Sequence, residues 1–254
     1  MASKTTLNAK NLETLGAARL AELLIEISTG DAAAKRRLRL ELAGMESPAE
    51  AARAVRKRLA SIAKSRSFVD WQKRQVLVAD LDGQRRAILD HIANVDSKEA
   101  LDLMWRFMAL ATPVFERCDD SSGSISAVFR EACGNLGAIA EAAKLDPEAL
   151  ADLAFSALKD NGYGQYDRLI ESLAPALGRK GLDHLKALMV QFSKAPLPRP
   201  AESDRVVIGW GSGSSRIYAD EVEERHRDST VRLALEQIAD LQGDVDAYTN
   251  GHWV

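Results

Sequence analysis

SKEALDLMWRFMALATPVFE, residues 97–116, reads as a helix with almost no polar side. Leu101, Met104, Trp105 and Met108 recur at helical spacing and form one apolar stripe. Leu103, Phe107, Leu110 and Val114 form a second. Only Asp102, Arg106, Ala109 and Pro113 leave a narrow row for water. A helix apolar nearly all round is a buried one, so this stretch predicts neighbours on at least two sides. Asp102 and Arg106 stand one turn apart and can pair, for about 0.3–0.5 kcal/mol. Pro113 has no N–H to donate and crowds the carbonyl four residues back, which predicts a kink or stop near Ala109–Thr112.

Working outward, the rest of the chain carries the same kind of signal. Asn8 caps a short helix, Ala9–Leu15, and Gly16 breaks it. Leu20, Leu23, Leu24 and Ile27 mark a helix over about Ala17–Ser28, with Gly30 just past its end. Asp31 caps Ala32–Met45. Ser47-Pro48-Ala49-Glu50 combines a cap, a first-turn proline and a glutamate that can reach back. The helix it opens runs to about Lys64. Asp70 opens a long helix to about Ala93, where Gly83 costs about 1 kcal/mol relative to alanine and offers a break. Asp96 with Glu99 opens the central helix. Ser124 begins a helix to about Lys144, and Asp146-Pro147-Glu148 starts another that stops at Asn161-Gly162. Two more are expected, one on Tyr166–Leu177 ended by Pro175 and Gly178, one on Leu182–Phe192. Ala195–Pro200 forbids helix. Val206–Ile208 and Ile217–Tyr218 flank a Gly/Ser turn and predict a short hairpin, which needs support because an isolated hairpin is marginal. Helix returns over about Asp220–Leu241, and a last piece from Gly243 stops at Gly251.

The fold class expected is therefore all-α. Helices joined by short capped turns pack as antiparallel neighbours. The arrangement expected is an α-solenoid-like stack of helical pairs of the HEAT, armadillo or TPR sort, with a closed multi-helix bundle as the alternative. The TPR spacing of Trp and Tyr is absent. Four segments follow, read as one continuous domain: basic helices at 1–95, central pairs at 96–195, a Pro/Gly/Ser insertion at 196–218, and a C-terminal helix at 219–254 that looks cut short.

Composition narrows the function class. The N-terminus has no apolar run of the signal-peptide kind. The longest stretch free of charged residues, Val206–Ser215, is rich in glycine and serine and unlike a spanning helix. Two cysteines make no disulfide framework, so the reading is cytoplasmic, reduced and not membrane-bound. Charge is unevenly spread. Residues 1–95 hold 17 basic against 11 acidic side chains, while the rest of the chain is acidic. Such asymmetry fits either a solvated helical surface or a face for nucleic acid. On the basic helices, Arg36, Arg37, Arg53 and Lys57 can line one ridge and contact phosphates, non-specifically and with strong salt dependence.

The motifs of chemistry fail on inspection. Gly209–Ser215 lacks the lysine of a phosphate-binding loop, and Ser214 stands where a dinucleotide loop needs glycine. His226-Arg227-Asp228 resembles a kinase tripeptide, but Leu233 replaces the metal-binding asparagine. His91, His184, His226 and His252 are scattered, with no second ligand one turn away. Cys118-Asp119-Asp120 lacks the spaced oxygens of a calcium loop, and Cys133 reads as a small core residue. No catalytic residue, metal or cofactor is expected. Trp210, Arg216 and Tyr218, on an insertion off a helical scaffold, are the candidate partner-binding residues, because loops carry contacts more often than cores do.

Three stretches, WRFMALATPVFERCDDSSGS (Trp105–Ser124), DNGYGQYD (Asp160–Asp167) and VIGWGSGSSRIYADEVEER (Val207–Arg225), resemble an uncharacterised proteobacterial family known only as a domain of unknown function. The likeness spans the chain to about Ala247; members continue into further helices, and Tyr248–Val254 departs from the pattern. The resemblance implies a fold and no activity. The functional expectation is a non-enzymatic helical-repeat scaffold that binds a protein partner. The alternative is nucleic-acid binding through the basic N-terminal half.

Overall fold

The computed structural model describes residues 5–197, 199–211 and 215–244. It is all-α apart from one small hairpin. The central stretch forms α6 (Ser97–Met108) and, after a break at Ala109–Leu110, α7 (Ala111–Phe115), which contains Pro113. Both predicted stripes are buried, with Trp105 half-buried at their edge. Asp102, Arg106 and Ala109 face solvent, and Arg106 Nε donates to Asp102 Oδ2 at 2.7 Å.

On the N-terminal side lie α1 (Ala9–Glu13), α2 (Ala17–Ser28), α3 (Ala32–Glu46), α4 (Pro48–Lys64) and α5 (Trp71–Ala87). On the C-terminal side lie α8 (Ser124–Ala143), α9 (Pro147–Lys159), α10 (Leu169–Lys194) and α11 (Ala219–Gln242). Side-chain caps set most of the starts. Asn8, Asp31, Ser47, Asp70, Asp96 and Asp146 each accept from backbone N–H groups of the helix that follows. α8 is capped from farther back, by Asp120, which accepts from Ile125 N at 2.9 Å and Ser126 N at 2.9 Å.

The capping bonds depress the carboxyls they use. Asp31 lies below its ordinary range through the backbone N–H groups of Ala34 and Ala33, and Asp146 through that of Ala149, helped by Lys180. A depressed carboxyl contributes stability above its unfolded value, near pH 4, and loses it as pH falls through the folded one. The unfolding midpoint should therefore drop between about pH 5 and pH 3. In Asp146→Asn, which keeps a capping oxygen that cannot titrate, a thermal melt series should give a shallower acid slope.

Three local features differ from the sequence reading. Gly83 does not break α5, which runs through it with Arg37 packed against its open face. The helix instead changes character at Ile88–Ala93, a π-helical turn that presents His91 to Glu41 at 3.0 Å. Gly44, on α3, makes room for that imidazole: a Cβ there would lie 2.5 Å from the ring. α10 contains Pro175 without ending there; the chain bends at Gly178, where φ is 53° and ψ is −169°. Finally, the stripe expected on α2 stays uncovered. Leu20 and Leu23 are half-buried, while Leu24, Ile25 and Ile27 are exposed.

The core runs from Leu40 on α3 to Ile238 on α11. α6 packs on α8 and α4; α10 lies between α8, α9 and α11. A row of rings crosses the centre: Phe107 to Phe129 at 5.4 Å, Phe129 to Phe115 at 5.6 Å, and Phe115 stacked on Tyr163 at 4.9 Å. Arg85, almost buried, bonds Asp82 on its own helix and reaches Glu131 (2.8 Å) and Asn135 (2.9 Å) on α8. Among the described residues no helix is long and apolar enough to cross a membrane.

Candidate functional site

The insertion between α10 and α11 forms the hairpin its sequence predicts. β1 (Val207–Trp210) pairs antiparallel with β2 (Arg216–Tyr218), with an irregularity between Val207 and Gly209. Gly211 N donates to Ser215 O at 2.8 Å to close the turn. The three residues at its tip, 212–214, lie outside the described residues, and with them part of the Gly/Ser segment weighed as a phosphate loop.

The hairpin is anchored at its base by one arginine. Arg205 lies over the Tyr218 ring at 3.7 Å from its centroid. Its Nη2 reaches Asp220 at 2.9 Å and Glu221 at 2.6 Å, at the start of α11. These charge-assisted bonds push Arg205 up and hold Asp220 below the usual carboxylate range. Ala219 N adds a bond to Val206 O at 2.9 Å. The stacked guanidinium and its carboxylates tie the base of the hairpin to α11, support that an isolated hairpin lacks.

The three candidate contact residues thus separate into two kinds. Trp210 and Arg216 are cross-strand partners, both exposed, Trp210 at 66%. Tyr218 is half-buried beneath Arg205 and belongs to the anchor. Beside Trp210 the structure adds residues that sequence reading had assigned only to pairing. Val206 and Ile208 are 62% and 55% exposed, and Val207 is exposed as well. Their β-branched character signalled a strand but could not say that no helix among the described residues covers them.

The basic residues scatter further. Arg37 pairs with Glu41 at 2.7 Å and Arg53 pairs with Glu50, each within its own helix. Arg36 and Lys57 do meet, lining a hollow of about 310 Å³ between α3 and α4. Arg39, Arg58 and Gln84 line it too. Of the four predicted phosphate contacts, two line one hollow and two are paired within their own helices.

The remaining candidates have structural partners. His184 sits 3.0 Å from Asp152. Asp119 accepts from Ser121 N, and Asp120 is the α8 cap, so both carboxylates are engaged by backbone N–H groups. Burial pushes Cys118 up, and pushes Cys133, within the core, up to about 12. The DNGYGQYD segment closes on itself between α9 and α10. Gln165 Nε2 donates to Asp160 O at 2.8 Å, Asn161 Oδ1 accepts from Tyr166 N at 2.8 Å, and the buried Tyr166 ring lies 6.3 Å from Trp105. His252 and the piece ending at Gly251 lie outside the described residues.

No curated protein and no solved structure matches the chain. A family profile does, and it continues past Ala247, where the sequence likeness was expected to stop. Matched over residues 2–252, the chain belongs to the family of unknown function DUF6880.

Proposed function

We propose that the protein is a non-enzymatic scaffold, an α-solenoid-like stack of helical pairs that docks a protein partner through its hairpin. The observation that carries this reading is the exposed apolar strand: Val207, Ile208 and Trp210, with Val206 just before them, stand in water on a two-stranded sheet. Bare strand edges invite pairing, and natural proteins usually guard them with charge, proline or cover. Here the cover is absent among the described residues, and an aromatic ring sits at the end of the strand. The occupant this suits is an extended apolar segment of a partner, added to the sheet edge by backbone bonds and read by Ile208 and Trp210. α2 offers a second uncovered face, with Ile25 and Ile27 69% and 72% exposed. Working in the bacterial cytoplasm fits two free thiols, Cys118 and Cys133.

Trp210→Ala and Ile208→Asp test the reading. Both side chains are solvent-exposed, so stability should move by less than about 0.5 kcal/mol. A photo-crosslinking residue at position 206 should capture a discrete partner in cells, and recovery should fall at least tenfold in either variant, the share expected of a central aromatic anchor. Capture that is unchanged in both variants removes the hairpin as the docking element.

A further inference from the structure

A second hollow of about 310 Å³ adjoins the one holding Arg36 and Lys57, and the two share Arg36, Arg58 and Ser61. It adds Lys73 from α5 and Arg117 from the loop after α7. Arg117 is brought there by a bridge between distant segments. Val69 N donates to Arg117 O at 2.8 Å and Asp119 N to Val69 O at 3.3 Å, which lays the loop against the α4–α5 linker. Together the hollows are lined by Arg36, Arg39, Lys57, Arg58, Lys73 and Arg117. Asp80 is the one carboxylate among those lining residues, and it is already held by Arg58 Nε at 2.9 Å and by Arg58 Nη2.

Two of these guanidiniums are poorly satisfied. Nε of Arg36 and Nε of Arg117 are buried without a hydrogen-bond partner. Arg117 makes one bond to protein, from Nη1 to Ser67 O at 3.2 Å. Its guanidinium lies below the ordinary arginine value, first because it is buried and then because Arg58 faces it. Buried donors without acceptors are uncommon and call for a specific cause. Like charges facing each other across a cleft are costly unless an anion enters between them. Arginine forks, moreover, match the paired oxygens of phosphate.

We propose that this cleft binds a small polyphosphorylated anion, with Arg36 and Arg117 gripping its phosphates and Lys57 and Lys73 neutralising its ends. Two adjoining lobes sharing two arginines suit linked phosphates better than a single one. A nucleic-acid backbone is the poorer match, since it needs an open stripe, and Arg37 and Arg53 of the outer surface are already paired.

Inorganic tripolyphosphate, titrated calorimetrically into the full chain at low salt, provides the test. One equivalent should bind, more tightly than orthophosphate. At a hundredfold excess over Kd, the unfolding midpoint should rise by about 5–10 °C. Arg36→Met and Arg117→Met should each weaken binding at least tenfold, while Arg53→Met leaves it unchanged. Arg117→Met should also melt no lower than wild type without ligand, because it removes a desolvated charge, which keeps loss of binding distinct from loss of fold. Absence of heat overturns the proposal, and so does equal affinity in all three variants. A DNA duplex that binds more tightly than tripolyphosphate and is weakened by Arg53→Met overturns it in favour of the outer surface. Co-sedimentation with phosphatidylglycerol vesicles that tripolyphosphate fails to displace overturns it in favour of a lipid headgroup.

Discussion

Gly137→Ala should lower the stability of the whole chain by about 3 kcal/mol or more, at the upper end for overpacking. A Cβ at this position would lie well inside van der Waals distance of the Ser172 carbonyl oxygen and 3.0 Å from its carbonyl carbon. Both atoms are backbone of α10, so no rotamer can relieve the clash; α8 and α10 must move apart. That contact holds the C-terminal helices to the centre, because α10 also carries α9 and α11. Gly134→Ala is the internal control. It lies three residues earlier on α8, exposed, with nothing within 4 Å of its added methyl. There alanine should stabilise by up to about 1 kcal/mol, the ordinary propensity gain. Urea unfolding followed by circular dichroism should move the two variants in opposite directions. Destabilisation of similar size in both would show that the close approach of α8 and α10 is not what Gly137 serves.

That contrast also marks where sequence reading stops. Gly83, Gly134 and Gly137 look alike as interior glycines of helices, and only the packing separates them. Helix starts were legible because each is written locally. A capping side chain and the N–H groups it accepts lie within a few residues, so Asp31, Ser47, Asp70, Asp96 and Asp146 could be identified without any knowledge of the fold. Asp120 could not be recognised as the α8 cap, since it reaches five and six residues ahead around Gly123, whose φ is 68°. The π-helical turn at Ile88–Ala93 left no pattern either, because apolar spacing alone does not register one extra residue in a turn. The stripe on α2 was legible as amphipathic but its exposure was not: periodicity says which side is apolar, never whether a neighbour arrives.

The candidate sites divide along the same line. The hairpin was legible because its strands and turn are contiguous; its register, which pairs Trp210 with Arg216, was not. What Tyr218 does was hidden, since Arg205 reaches it across the strand start and its carboxylate partners lie on the next helix. The basic cleft was almost wholly hidden. Arg36, Arg58, Lys73 and Arg117 come from three helices and a loop, and the bridge between Val69 and Cys118 that assembles them has no sequence signature. Charge count located the basic half of the chain but ranked Arg37 and Arg53 with Arg36. Their glutamates one turn away, at positions 41 and 50, were the local signal that those two are engaged.

Phe129→Ala should cost about 4–5 kcal/mol, the upper part of the range for removing a buried phenyl group. Phe129 is fully buried and stands between two other rings, Phe107 on α6 and Phe115 on α7. Truncation loses transfer energy, opens a cavity and removes both aromatic contacts, which add about 0.5–1.5 kcal/mol each beyond area. The walls of that cavity are poorly able to collapse. α6 is fixed on its other side by α4, and Phe115 is held by its stack on Tyr163. Against a total of about 5–15 kcal/mol for a typical domain, this is a large fraction. Phe129→Leu keeps most of the volume and should cost roughly half as much, since the remaining loss is the ring contacts. Phe129→Leu should leave the loop bearing Arg117 in place, so tripolyphosphate should bind it with near wild-type affinity and raise its midpoint as it does the parent's. Equal, small losses for Ala and Leu, below about 1 kcal/mol, would mean that the row of rings is not the centre of the core.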